Sequence, residues 1–189
     1  MCSEHCKKNI DLIHNNPVFP NASTIGLAPH YRDIDPPTNN LTKIDLDNNT
    51  RLVMGLNTII LPGTYIIANN NAEIIIADHS YISKEVILHA RSRIVIGKNV
   101  LIGQQVRIID HDGHHIFSDN KKKACNTVNP VIIKDKVWIG FRATILKGVT
   151  IGDNSIIAAN ACVTSDVPNN VIVAGNPAKI VKENIRWER

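Results

Sequence analysis

Aliphatic residues in the C-terminal half of the chain return every six positions: Ile133, Ile139, Ile145, Ile151, Ile157 and Val163. Gly140 and Gly152 follow two of them, and the small Ala158 follows a third. Upstream, Ile96, Ile102 and Ile108 keep the same step, with Gly97 and Gly103 behind the first two. Earlier still come Ile76, Ile82 and Leu88, separated from the next set by two inserted residues. A helix cannot use this interval, because successive positions would rotate around its axis. One long strand cannot use it either, since strands alternate every two residues and these segments are broken by Gly, Asn and Asp. The pattern predicts short strands joined by tight corners, each strand contributing one inward aliphatic. Three strands close one triangular coil, and stacked coils bury a column of Ile and Val, as in a solenoid. Small residues after the inward aliphatic leave room at corners where a side chain would crowd the chain.

Outside the repeat the pattern changes in three places. Residues 1–40 lack it and carry Pro17, Pro20, Pro29, Pro36 and Pro37 among many Asn. They predict an irregular N-terminal segment with at most a short helix, Pro36-Pro37 marking its end. Residues 41–175 form the solenoid, opened by irregular early coils through Ile75. Residues 109–130 drop the six-residue step, which predicts a protruding loop. Residues 176–189, including "AKIVKENIRWER", predict a short C-terminal helix that caps the last coil.

Composition narrows the function classes. Hydrophobic residues at 43%, charged residues at 20% and aromatics at only 4% describe a globular chain filled by branched aliphatics. A net charge of +4, with one basic run at Lys121–Lys123, gives no nucleic-acid footprint. No apolar run is long enough to span a bilayer, and no secretory signal is visible, so a cytoplasmic location is expected. Cys2, Cys6, Cys125 and Cys162 are irregularly spaced, and Cys2-His5-Cys6 has no second ligand pair. They are read as free thiols. Rossmann and Walker glycine patterns are absent.

The stretch "VWIGFRATILKGVTIGDNSIIAANACVTSDVP", followed by "AGNPAKIVKE", closely resembles the hexapeptide-repeat acyltransferases. The resemblance covers about residues 74–183 and is nearest to bacterial sugar and polysaccharide O-acetyltransferases. It implies an all-β, left-handed parallel β-helix, a homotrimer, and acetyl-CoA as the acyl donor.

The phrase "RIIDHDGHHIF", residues 107–117, lies where the repeat gives way to the loop. Acyl transfer to a hydroxyl needs a base, and an imidazole, with its ordinary pKa near ~6.5, can take the proton and return it to the leaving thiolate. Family members with an Asp-x-Asp-x-His phrase match Asp110, Asp112 and His114. The resemblance thus implies His114 as the catalytic base, oriented by Asp112 or Asp110. His111 is the second candidate, because some relatives carry Asp-His-Asp; the plainer reading of His111 and His115 is a polar loop. A metal site built from His79, His89, His111, His114 and His115 is the minority reading, and no metal is expected; His89 is read as a turn or interface residue.

The resemblance also implies an oxyanion donor in the Gly140-Phe141 backbone. Trp138 would wall the pantetheine tunnel. The coenzyme arm would run past Ala159, Thr164 and Ser165 to Lys179 and Lys182, whose ammonium groups can meet phosphates. Ser165 departs from relatives that have Lys there. The Asn that some relatives use one coil before the catalytic His is absent near Ser83. The implied activity is acetyl transfer from acetyl-CoA to a hydroxyl of a sugar or surface polysaccharide. N-acylation of an amino-sugar nucleotide or an antibiotic is the alternative enzyme, and a silent trimeric scaffold the alternative of another class.

Overall fold

The computed structural model describes residues 10–12, 42–47, 49–117 and 128–189. Lys121–Lys123, Cys2, His5, Cys6, Cys125 and the Pro36-Pro37 boundary lie outside them. Each aliphatic of the six-residue ladder sits inside a triangular prism: Ile133, Ile139, Ile145, Ile151, Ile157 and Val163 are all buried, as are Ile76, Ile82, Leu88, Ile96, Ile102 and Ile108.

Strand β1 (Ile10–Leu12) precedes the coils. The first coil is β2 (Lys43–Leu46), β3 (Arg51–Met54) and β4 (Ile59–Ile60); the second is β5 (Tyr65–Ala68), β6 (Glu73–Ile76) and β7 (Tyr81–Ile82). The third is β8 (Ile87–Ala90), β9 (Arg93–Ile96) and β10 (Leu101–Ile102), and the fourth is β11 (Arg107–Ile109), β12 (Val131–Ile133) and β13 (Trp138–Ile139). Strands β14 (Thr144–Ile145), β15 (Thr150–Ile151) and β16 (Ile156–Ile157) follow. The last coil has β17 (Cys162–Val163) and β18 (Ile172–Ala174), and β19 (Lys179–Lys182) closes the chain.

These strands stack into three sheets, the faces of the prism. Face A is β1-β3-β6-β9-β12-β15, face B is β19-β18-β16-β13-β10-β7-β4, and face C is β17-β14-β11-β8-β5-β2. Pairing is parallel throughout except between β18 and β19. The chain visits C, A, B in every coil, so its corners form a C–A edge, an A–B edge and a B–C edge. Early coils are longer: Arg51 meets Glu73 at a separation of 22 residues, whereas Asp135 meets Asp153 at 18. Four-residue arms, not irregularity, account for the inserted residues.

The glycines that follow inward aliphatics are required by stacking. A Cβ on Gly140 would stand 2.7 Å from the Ala159 nitrogen and 2.9 Å from the Ile157 oxygen, and one on Gly103 would stand 2.9 Å from the Ile139 oxygen. The left-handed backbone at the corners is taken by other residues, among them Asn99, Gln105, Lys136, Arg142, Asn154 and Asn160.

Two expectations are corrected. Ile10–Leu12 is a strand that pairs with β3, so these three residues of the N-terminal segment add to face A. The C-terminal "KIVK" is no helix: Lys179–Lys182 pairs antiparallel with β18. The last strand of face B would otherwise present an open row of backbone donors and acceptors, and pairing satisfies it. The tail then folds back over face B, where Ile185 N–H donates to the Asn170 carbonyl and Trp187 Nε1 donates to the Lys136 carbonyl. No helix among the described residues is long and apolar enough to cross a membrane.

Candidate active site

The long loop leaves the prism at the C–A edge of the fourth coil and returns to the same edge. Asn129 N–H donates to the Asp110 carbonyl at 3.0 Å and closes the neck. Asp110 anchors its outgoing side. Its fully buried carboxylate accepts N–H from Arg91 at 2.8 Å, from Ser92 at 2.8 Å and from Arg93 at 2.7 Å. Burial lifts its pKa above the ordinary carboxylate value, and those amides work in the opposite direction. Asp110 is a corner staple, which leaves Asp112 as the carboxylate of the phrase that can serve the site.

Asp112 lies in the exposed part of the loop and pairs with Lys147 at 2.8 Å, across the same edge one coil on. Arg91 Nη1 donates to the Gly113 carbonyl at 3.1 Å. The two ties hold the loop from opposite coils. Arg91, His111, Asp112, Gly113, His114, His115 and Val128 enclose a shallow cavity of about 100 Å3. His114 and His115 sit on its exposed rim, whereas His111 turns inward.

His111 packs edge-on against His89, with ring centroids 4.2 Å apart. His89 is no turn residue. It lies in β8 on the outward side of face C, only 1% exposed, with Nε2 3.2 Å from Asn69 Oδ1. Burial first, then the neighbouring His111 and Arg91, push its pKa down to about 3. Burial and Arg91 push His111 down to about 4 against the opposing pull of Asp112. Both rings are therefore neutral near pH 7. Among the described residues neither ring nitrogen of His111 has a hydrogen-bond partner. The register also relocates the residue one coil before the loop: Ile109 stacks on His89, so that position is His89 rather than the neighbourhood of Ser83. No three His, Cys, Asp or Glu among the described residues group to hold a metal ion.

The residues expected to bind the coenzyme divide between edges. Gly140, Phe141 and Ala159 stand at the B–C edge, Thr164 and Ser165 at the C–A edge with the loop, and Lys179 and Lys182 on exposed β19. Gly140 N–H already donates to the Ile157 carbonyl at 2.8 Å, so it is not an oxyanion donor. Among the described residues the N–H groups of Phe141 and Ala159 take no part in the ladder, and neither do those of Lys84 and Gln104 at the same edge in earlier coils. Trp138, 44% exposed on face B, borders them and carries Trp187 against its ring at 6.0 Å.

The bacterial transferase hexapeptide (six repeats) profile matches residues 130–165. The chain is 35% identical over 151 residues to the Saccharomyces cerevisiae protein named "Putative acetyltransferase YJL218W", covering 77% of this chain and 76% of that one. The chain belongs to the hexapeptide-repeat acetyltransferases. Its fold is accordingly the left-handed parallel β-helix. It is 38% identical over 126 residues to the polysialic acid O-acetyltransferase of Escherichia coli O1:K1, covering 66% of this chain but 41% of that relative. Among solved structures, the hexapeptide-repeat acetyltransferase VCA0836 of Vibrio cholerae, complexed with acetyl coenzyme A, superposes with a TM-score of 0.61. That match has 32% identity and covers 69% of this chain and 70% of the other. A galactoside acetyltransferase in complex with coenzyme A gives 0.59 at 32% identity, covering 70% and 64%.

Proposed function

We propose that the chain transfers an acetyl group from acetyl-CoA to a hydroxyl of a sugar or polysaccharide, with His114 as general base. The base takes the hydroxyl proton as oxygen attacks the thioester carbonyl, and the imidazolium returns it to the departing sulfur. Asp112, held by Lys147, steadies the loop that presents the ring. The Phe141 N–H meets the developing oxyanion, and the Ala159 N–H meets the coenzyme arm. Thr164 and Ser165, with the cations of Lys179 and Lys182, receive its distal, phosphate-bearing end.

The single observation that carries this reading is the division of those residues between two edges. Face C separates the loop at the C–A edge from Phe141 at the B–C edge, by roughly three to four residues of strand at ~3.3 Å each. Proton transfer needs contact at about 3 Å. One chain cannot bring its own base to its own thioester corner. Three prisms with face C turned toward a common axis place the C–A edge of each beside the B–C edge of the next, which completes three equivalent sites. The protein therefore works as a homotrimer in this reading.

The test is thiol release from acetyl-CoA against a panel of sugars and oligosaccharides. His114→Ala is expected to lose about 10³-fold in kcat while keeping its affinity for acetyl-CoA. Wild-type-like turnover by that variant would refute the assignment.

A further inference from the structure

A groove of about 470 Å3 runs parallel to the prism axis on face C, beside the B–C edge. Its floor and wall come from Ile87, Arg107 and Thr144, which project from face C, and from the corner residues Glu85, Gln105 and Arg142. The corner side chains form a column: Gln105 Nε2 donates to Glu85 Oε2 at 2.6 Å, and Arg142 Nε donates to Gln105 Oε1 at 2.6 Å. The Arg142 guanidinium also lies over the Phe141 ring, 4.8 Å from its centroid.

Two features set this column apart. Glu85, Gln105 and Arg142 all hold left-handed backbone, with φ of 59°, 61° and 56°. That conformation favours Asn, as at Asn57, Asn99, Asn154 and Asn170 along the A–B edge and at Asn160 in the next coil of this one, although His79 and Lys136 adopt it on the A–B edge as well. What distinguishes Glu85, Gln105 and Arg142 is that their long side chains bond to one another along the groove. The groove is also unbalanced in charge. Its one carboxylate, Glu85, is engaged by Gln105, while the Arg107 guanidinium makes no hydrogen bond or ion pair among the described residues, its backbone N–H alone donating to the Ala143 carbonyl. Two guanidinium groups from adjacent coils thus share a concavity, about 4.8 Å apart in strand spacing, with no free anion to neutralise them. Guanidinium forks suit planar or tetrahedral oxyanions, and a concave wall strengthens the field they exert.

We propose that the half of this groove at Glu85, Gln105 and Arg107 is the acceptor subsite, and that it selects a sugar bearing an anionic group, gripped by Arg107. Glu85 and Gln105 take hydroxyls of the same ring. This rests on the acetyltransferase reading above, because it places the acceptor on the side of Phe141 opposite to the coenzyme arm.

The experiment uses the purified full chain and matched probes: N-acetylneuraminate against its methyl ester, and glucose 6-phosphate against glucose. Binding is followed by titration calorimetry and acetylation by thiol release. The charged member of at least one pair is expected to bind about tenfold or more tightly; which pair responds distinguishes a carboxylate from a phosphate. Arg107→Gln is expected to abolish the preference and Arg107→Lys to restore part of it, with unchanged melting temperature and unchanged affinity for acetyl-CoA. Equal affinity within both pairs, or an intact preference in Arg107→Gln, would overturn the proposal. Weaker coenzyme binding by Arg107→Gln would overturn it too, by assigning the groove to the donor. Absence of thiol release with an intact charge preference would instead refute the transfer reaction and leave the anion subsite standing.

Discussion

The imidazole of His111 stands against that of His89 with ring planes at 81° and centroids 4.2 Å apart. Two neutral rings of one type, one on the loop and one in β8, join the loop to face C. A charge on either would face the other ring and Arg91 in a poorly solvated place.

Acid should loosen this joint before it reaches the core. In the unfolded chain both imidazoles titrate near ~6.5; in the fold His89 is held at about 3 and His111 at about 4. Between those limits the unfolded state binds more protons, so stability falls as pH drops below ~6.5. For the buried His89 the loss is on the order of a few kcal/mol by full protonation of the unfolded chain. Melting temperatures measured from about pH 7.5 down to about pH 4.5 should fall in wild type and fall less in His89→Asn. Parallel curves would contradict the assignment.

Asp110 is the second point of failure at the neck. Asp110→Ala removes the acceptor of three backbone N–H groups at a buried corner. Each unmet donor costs about 1 kcal/mol or more, so the variant should lose about 3 kcal/mol in denaturant unfolding. Asp110→Asn keeps one oxygen and should lose less. If Asp110 served only the chemistry, stability would be unchanged and activity alone would drop.

The column of Ile and Val was legible because each six-residue step is one face, and a face needs one inward aliphatic. The break in the ladder after Ile108 was legible for the complementary reason: "DHDGHHIF" offers no aliphatic at the next expected step. The C-terminal strand was not. "AKIVKE" fits helix or strand on local pattern, and what decides is the unpaired edge of β18, a property of the finished stack. His89 was misread for a similar reason. Its neighbour depends on register across the third and fourth coils, and the two-residue offset before Ile96 hides that register in the sequence. The free backbone donors at the Gly140-Phe141 corner were not legible either, because only the ladder shows that Gly140 N–H donates to the Ile157 carbonyl while Phe141 N–H does not join it.

Two glycines separate steric from conformational requirements. Gly140→Ala brings a Cβ to 2.7 Å from backbone of the next coil, so the coils must part, at a cost of about 2 kcal/mol or more. Gly113 has φ of +82° but open space around it, so Gly113→Ala should cost only about 1 kcal/mol. Unfolding midpoints in urea give the order directly, and a larger loss at Gly113 would reverse this account.

The tail over face B links stability to the B–C corner that we propose meets the acetyl donor. Trp187 rests on Trp138, its Nε1 donates to the Lys136 carbonyl, and Arg189 lies over the Tyr81 ring at 5.6 Å. Trp138 is the strand residue two positions before Gly140, so the tail steadies the strand that leads into this corner. Trp187→Ala frees that ring to reorient, which should raise the KM for acetyl-CoA several-fold and change kcat by less than about twofold. Trp187→Phe keeps the ring contact but lacks the N–H, and should recover most of the KM. An equal fall in kcat for both variants would place Trp187 in the transition state's surroundings instead, and unchanged kinetics with a lower melting temperature would reduce the tail to a structural clasp.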